Sequence, residues 1–96
     1  MRLSSFYKAT IKQVGKEIFG HNAKICLFGS RVDDAKRGGD IDLYLDVVDK
    51  NNLFDKKIQF LVKLKKILGE QKIDVVIAKD KNRSIEQVAL RDGVEL

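Results

Sequence analysis

The sequence predicts a small α/β (α+β) fold: a mixed sheet of three to four strands with helices packed on one face. Three observations lead there. Apolar runs of helical period alternate along the chain with short apolar runs of strand type. Glycine supplies the breaks between them, because the 96 residues contain no proline. A long helical run separates two of the strand-like segments, and a crossover of that length permits parallel neighbours.

Tyr7, Ile11, Val14 and Ile18 recur at helical spacing after the candidate N-caps Ser4 and Ser5, and Gly20 is placed to stop this first helix. Residues 24–28 read as a short apolar strand ending at Gly29. Residues 31–38 read as a short helix or turn closed by Gly38-Gly39. A second strand covers about 40–47. Asn52 with Asp55 three residues on resembles a capping arrangement for the next helix, whose apolar face is read as Phe54, Ile58, Leu61 and Leu68 with Phe60 and Leu64 beside them. Gly69 ends it. A third strand covers about 72–78, and Ser84-Ile85-Glu86-Gln87 fits a capping box for a final short helix closed by Gly93.

This length allows one domain, residues 1–96, with one modest core and little room for a separate substrate-binding module. Its apolar runs fall short of the roughly 20 residues that span a membrane, and the start Met1-Arg2-Leu3-Ser4-Ser5 lacks the apolar stretch of a signal peptide. The expected location is cytoplasmic. Cys26, the only cysteine, has no internal disulfide partner and reads as a buried structural thiol. The net charge of +5 is unevenly spread. Acids gather at Asp33, Asp34, Asp40, Asp42 and Asp46; lysines gather at Lys56, Lys57, Lys63, Lys65 and Lys66 and again at Lys79 and Lys81. No aromatic residues interleave with these lysines as a base-stacking platform requires, so they read as a solvated helix face and a polar loop.

Chemistry concentrates at two places. Gly29-Ser30 forms a turn of the size that admits a phosphate, with Gly29 removing the side chain and Ser30 offering a hydroxyl. Asp40-Ile41-Asp42 then places two carboxylates on one strand face, roughly 7 Å apart along the chain, while Ile41, Leu43 and Leu45 line the other face. Two adjacent acids repel, and hard oxygen ligands suit magnesium or manganese better than zinc. Parallel pairing of the second and third strands brings Asp74, inside the apolar run 72–78, to the same end as Asp40 and Asp42. The short link between the first two strands favours antiparallel pairing, which brings Gly29-Ser30 to that end as well. Tyr44 shares the face of Asp42 and is open to two roles, contact with a base or acceptor and ordinary strand packing. His21 reads as a solvent-facing loop residue.

Phe28-Gly29-Ser30-Arg31 leading to Gly39-Asp40-Ile41-Asp42-Leu43, followed by the lone Asp74 in an apolar strand, resembles the DNA polymerase beta-type nucleotidyltransferase superfamily, and within it the minimal nucleotidyltransferases. The resemblance covers residues 24–78 well and the flanking helices loosely. Asp34 stands where members commonly carry a glycine, and the loop before Asp40 is often one residue longer. The resemblance implies the polymerase beta-type nucleotidyltransferase fold, with Asp40, Asp42 and Asp74 as catalytic residues and as ligands to two Mg²⁺ ions, Mn²⁺ being an alternative. It implies that Gly29, Ser30 and Arg31 bind the triphosphate of ATP. Small stand-alone members of the family are frequently antitoxins that transfer AMP to a tyrosine of a helical HEPN-domain toxin encoded nearby. The implied partner is therefore such a toxin; a homo-oligomer is allowed, and neither a membrane nor nucleic acid is expected as a direct ligand. Binding-only neutralisation, and transfer to a small molecule or RNA, are the alternatives. The basic helix around Lys56–Lys66 and the C-terminal segment Val88–Leu96 are the candidate partner contacts, and the apolar Val88, Leu90, Val94 and Leu96 favour the C-terminal segment.

Overall fold

The computed structural model describes residues 3–29, 40–69, 72–80 and 82–96. The turn or helix expected over 31–38 lies outside these residues. The described elements are α1 (Ser5–Phe19), β1 (Lys24–Phe28), β2 (Ile41–Asp46), α2 (Leu53–Leu68), β3 (Ile73–Ile77), α3 (Ser84–Asp92) and β4 (Val94–Glu95). The sheet runs in the order β3-β2-β1-β4. β1 and β2 pair antiparallel with Phe28 opposite Asp42, and β2 and β3 pair parallel with Asp42 opposite Asp74. These are the two pairings expected from link length. β4 adds antiparallel to the other edge of β1, where the Leu96 N–H donates to the Ile25 carbonyl at 2.9 Å.

Strand alternation sorts the sheet into two faces. Ile25, Leu27, Ile41, Leu43, Leu45, Ile73 and Val75 point into one core with Ile11 and Val14 of α1 and Phe60 and Leu64 of α2. The two helices run antiparallel there: the Tyr7 hydroxyl donates to the Leu68 carbonyl at 3.3 Å, and the Phe19 and Phe60 rings meet edge to face at 5.6 Å. The Tyr7 bond also satisfies one of the carbonyls that a helix leaves unpaired at its C-terminus. Ser4 caps α1 by accepting the Tyr7 N–H at 3.2 Å.

Helices on a single face describes α1 and α2 but not α3. Ala89 of α3 packs with Phe28, Tyr44 and Ala78 on the opposite face, the one that carries the aspartates. That face is therefore open only in part. Cys26 borders this second cluster and is half-buried rather than buried.

Three local readings differ from the sequence expectation. Asn52 adopts a left-handed backbone (φ 57°) and makes no side-chain cap, because a capping side chain needs an extended residue there. Asp49 takes over by accepting the Asn51 N–H at 2.9 Å and pairing with Lys56 at 3.3 Å. In α3, Ser84 is already the first helical residue, so the capping box does not form and Glu86 is drawn inward instead. On α2 the buried seam is Phe60, Leu64 and Leu68, whereas Phe54 and Ile58 are exposed at 75% and 46%. That helix is apolar over more than one stripe, and the crossing with α1 selects which stripe is buried. Of the C-terminal segment, Val94 pairs with β1 through its backbone and Leu96 packs on the core, while the Val88, Leu90 and Val94 side chains are exposed.

Candidate active site

The antiparallel β1–β2 pair and the parallel β2–β3 pair bring Gly29, Asp42 and Asp74 to one end of the sheet. Gly29 follows β1 with φ 79°, a left-handed conformation that L side chains avoid. It also lies against the Asp42 carboxylate, so that a Cβ at position 29 would strike Asp42 Oδ2. The turn and the first catalytic candidate are thus one packed unit. Ser30 and Arg31 lie outside the described residues.

Asp42 is half-buried, Asp40 is half-buried and Asp74 is exposed. Burial raises the Asp42 carboxyl above the ordinary carboxylate range; the charges of Asp74 and Asp40 push the same way, Lys72 opposes them, and a side-chain hydrogen bond to Asp74 adds to the rise. Asp40 pairs with Lys72 at 3.4 Å. Among the described residues no three His, Cys, Asp or Glu side chains are gathered tightly enough to make a metal site. The donor set itself is all oxygen. Asp40 already draws a lysine to this end of the sheet, and a hard divalent cation suits the same oxygen donors.

Lys72 was not singled out in the sequence, although parallel pairing of Ile41 with Ile73 sets residue 72 beside residue 40. Tyr44 takes the packing role. It is 2% exposed and donates its hydroxyl to Glu86 Oε1 at 2.8 Å, so it is turned away from any substrate. Glu86 is fully buried and collects further donors: the Lys79 N–H at 3.1 Å, the Asp80 N–H at 2.7 Å and Arg83 Nε at 2.8 Å. Burial alone would raise this carboxyl; the donors from Asp80, Tyr44, Arg83 and Lys79 outweigh it and lower the carboxyl to about 2. Conversely Tyr44 is pushed up to about 12, by burial first and then by its bond to Glu86 and the charge there. The pair pins the 79–80 loop and α3 to the strand that carries Asp42. His21 is exposed, in keeping with a loop role.

Among the described residues, no helix is long and apolar enough to cross a membrane. No curated protein matches the chain. The family described as Polymerase beta, Nucleotidyltransferase matches residues 10–96, from inside α1 through β4. That span contains the Gly29 turn, all three aspartates and every described strand, and the three helices and four-stranded mixed sheet of the described residues are an α+β arrangement consistent with that family. By fold and by sequence alike, the chain belongs to the polymerase beta nucleotidyltransferases, whose general activity is nucleotidyl transfer.

Proposed function

We propose that the chain transfers AMP from ATP to a protein hydroxyl, a tyrosine on a helical HEPN-domain toxin, and thereby acts as that toxin's antitoxin. Nucleotidyltransferases generally use a nucleoside triphosphate and divalent metal ions; Mg²⁺ is the ion proposed here, held by Asp40, Asp42 and Asp74. The observation that carries the reading is the register of Asp42 against Asp74 with the Gly29 turn packed on Asp42. When bound, the ions would neutralise the triphosphate and lower the cost of charge developing in the transfer.

The chain's own residues would do the rest. Gly29 keeps a side chain out of the approach to phosphate, and Ser30 and Arg31 are proposed to hold the phosphate oxygens. Asp74, the exposed member of the three, is suited to take the proton of the acceptor hydroxyl. The acceptor oxygen bonds to the α-phosphorus, the bond from that phosphorus to the bridging oxygen of pyrophosphate breaks, and pyrophosphate leaves with the electron pair. The hydroxyl proton passes to Asp74 and then to solvent.

The test is co-expression of the neighbouring helical protein with wild-type and Asp42→Asn chains, followed by intact-mass measurement and a growth assay. Neutralisation with a gain of one or more AMP units only in the wild type supports the enzymatic antitoxin. Equal neutralisation by both chains without mass gain establishes binding-only action. AMP appearing on RNA or a small molecule but never on the protein moves the acceptor to that class.

A further inference from the structure

β3 is an edge strand among the described residues, paired only with β2. The Lys72 carbonyl accepts from Ile41 and the Ala78 N–H donates to Leu45, so even-numbered residues of this segment turn their backbone groups toward β2. Alternation then turns the N–H and C=O groups of Ile73, Val75 and Ile77 outward. Arg83 Nη2 reaches the Ile77 carbonyl at 3.5 Å, and no other described residue is recorded bonding to this outward edge. Unpaired strand edges are templates for another strand.

A groove of about 740 Å³ opens beside the same strand. Lys50, Lys57, Lys79 and Arg83 line it together with Leu53 and Phe54, and among the described residues no acid does. Lys57 and Lys79 form no ion pair with any described residue. We infer that the outer edge of β3 and this cationic groove together dock an extended acidic segment of a partner protein, which adds to the sheet as a further strand.

Two features select a peptide over a nucleic acid strand. Main-chain donors and acceptors of Ile73, Val75 and Ile77 match a peptide backbone, which can answer both at strand spacing. Among the described residues Phe54 is the sole aromatic in the groove, which falls short of a stacking platform for successive bases. The cations fit acidic side chains, whose alternate positions along an added strand face the groove walls. Asp74 lies on β3 immediately before Val75 of the groove, so a segment docked here leads to the aspartates. Delivery of an acceptor by this route rests on the transferase reading; the docking itself does not.

The experiment uses the full chain and a labelled short peptide of alternating glutamate and valine, read by fluorescence anisotropy and by hydrogen exchange of the Val75 amide. The expected result is binding that weakens with salt, falls about tenfold or more in the Lys57→Ala, Lys79→Ala double variant, and slows exchange at Val75. A peptide N-methylated along its pairing edge and a lysine–valine peptide should both fail, while Lys57→Glu with Lys79→Glu should accept the lysine–valine peptide. The inference is overturned if the acidic peptide does not bind, or binds without regard to the two lysines. It is equally overturned if a single-stranded oligonucleotide binds with the same lysine dependence and the peptide does not. Peptide binding without AMP transfer in the co-expression assay leaves the docking standing and removes the transferase reading; transfer without peptide binding does the reverse.

Discussion

Replacing Tyr44 by Phe isolates one bond in the network that fastens α3 to the sheet. The hydroxyl lies 2.8 Å from Glu86 Oε1, and both residues are shut off from water, at 2% and 0% exposure. Losing every partner of a buried carboxylate would cost the full price of an unpaired charge, about 3–5 kcal/mol. Here the carboxylate keeps the Asp80 and Lys79 N–H groups and Arg83, so only one charge-assisted hydrogen bond is lost, worth about 1.5–3 kcal/mol. The ring remains, and no side-chain-sized cavity opens. For a domain of this size that corresponds to a fall in Tm of roughly 6–24 °C. Urea unfolding should show a lower midpoint with an unchanged m value. A change below about 0.5 kcal/mol would mean that the hydroxyl does not serve a buried, ionised Glu86, and the account of α3 docking would fail with it.

The other predictions concern the same loop and the aspartate end. Glu86 sits at about 2 when folded against an ordinary 4.5, so its stabilisation is complete above 4.5 and is lost as pH falls toward 2; Tyr44→Phe should flatten that part of the stability profile, measured by urea midpoints across acid pH. Asp42→Asn should lower nucleotidyl transfer by about a hundredfold or more while the apo unfolding midpoint at neutral pH holds or rises, because burial first and then the charges of Asp74 and Asp40 penalise an ionised Asp42, and asparagine carries no charge. Wild-type transfer in that variant would discard the site. Gly29→Ala should cost about 1–2 kcal/mol for its left-handed backbone and, by pushing the Asp42 carboxylate aside, weaken Mn²⁺ binding measured by paramagnetic relaxation; undiminished Mn²⁺ affinity would contradict the contact between turn and carboxylate.

How much of this was legible beforehand depends on whether a feature is set by short-range period or by competition among tertiary partners. The parallel pairing that brings Asp74 to the end of Asp40 and Asp42, and the shared face of the aspartates, follow from link length and strand alternation, which can be read from residues 40–47 and 72–78; the exact register of Asp42 opposite Asp74 comes from the structure. The ends of α1 were equally plain, since Ser4 and Gly20 act within one turn of themselves. Glu86 was not legible. Its place in Ser84-Ile85-Glu86-Gln87 matches a local cap, yet four donors from Tyr44, Lys79, Asp80 and Arg83 offer a buried carboxylate more than the single backbone N–H of a capping box. That choice carries α3 onto the aspartate face, which explains why the face expected to be open is half covered. The same competition decided α2, where Phe54 and Ile58 yielded the core to Phe60 and Leu64. β4 is two residues long, too short to carry a period at all.

The covering of that face bears on chemistry. α3 closes the sheet over Tyr44 and Ala78 and stops short of Asp74, which remains exposed one strand away from half-buried Asp42. Asp42 is therefore the carboxylate whose ionisation is held back, and Asp74 the exposed one, which is why it is the one proposed to meet the acceptor hydroxyl. On the other side of β3 the groove begins at the very next residue. Burial thus sets two carboxylates apart along a single pair of strands: ionisation is held back where the sheet is covered, and access is left where it is not. A partner that pairs with the edge of β3 would complete the cover from outside, excluding water from Asp74 only when an acceptor is in place, which is the condition that favours transfer to the acceptor over hydrolysis.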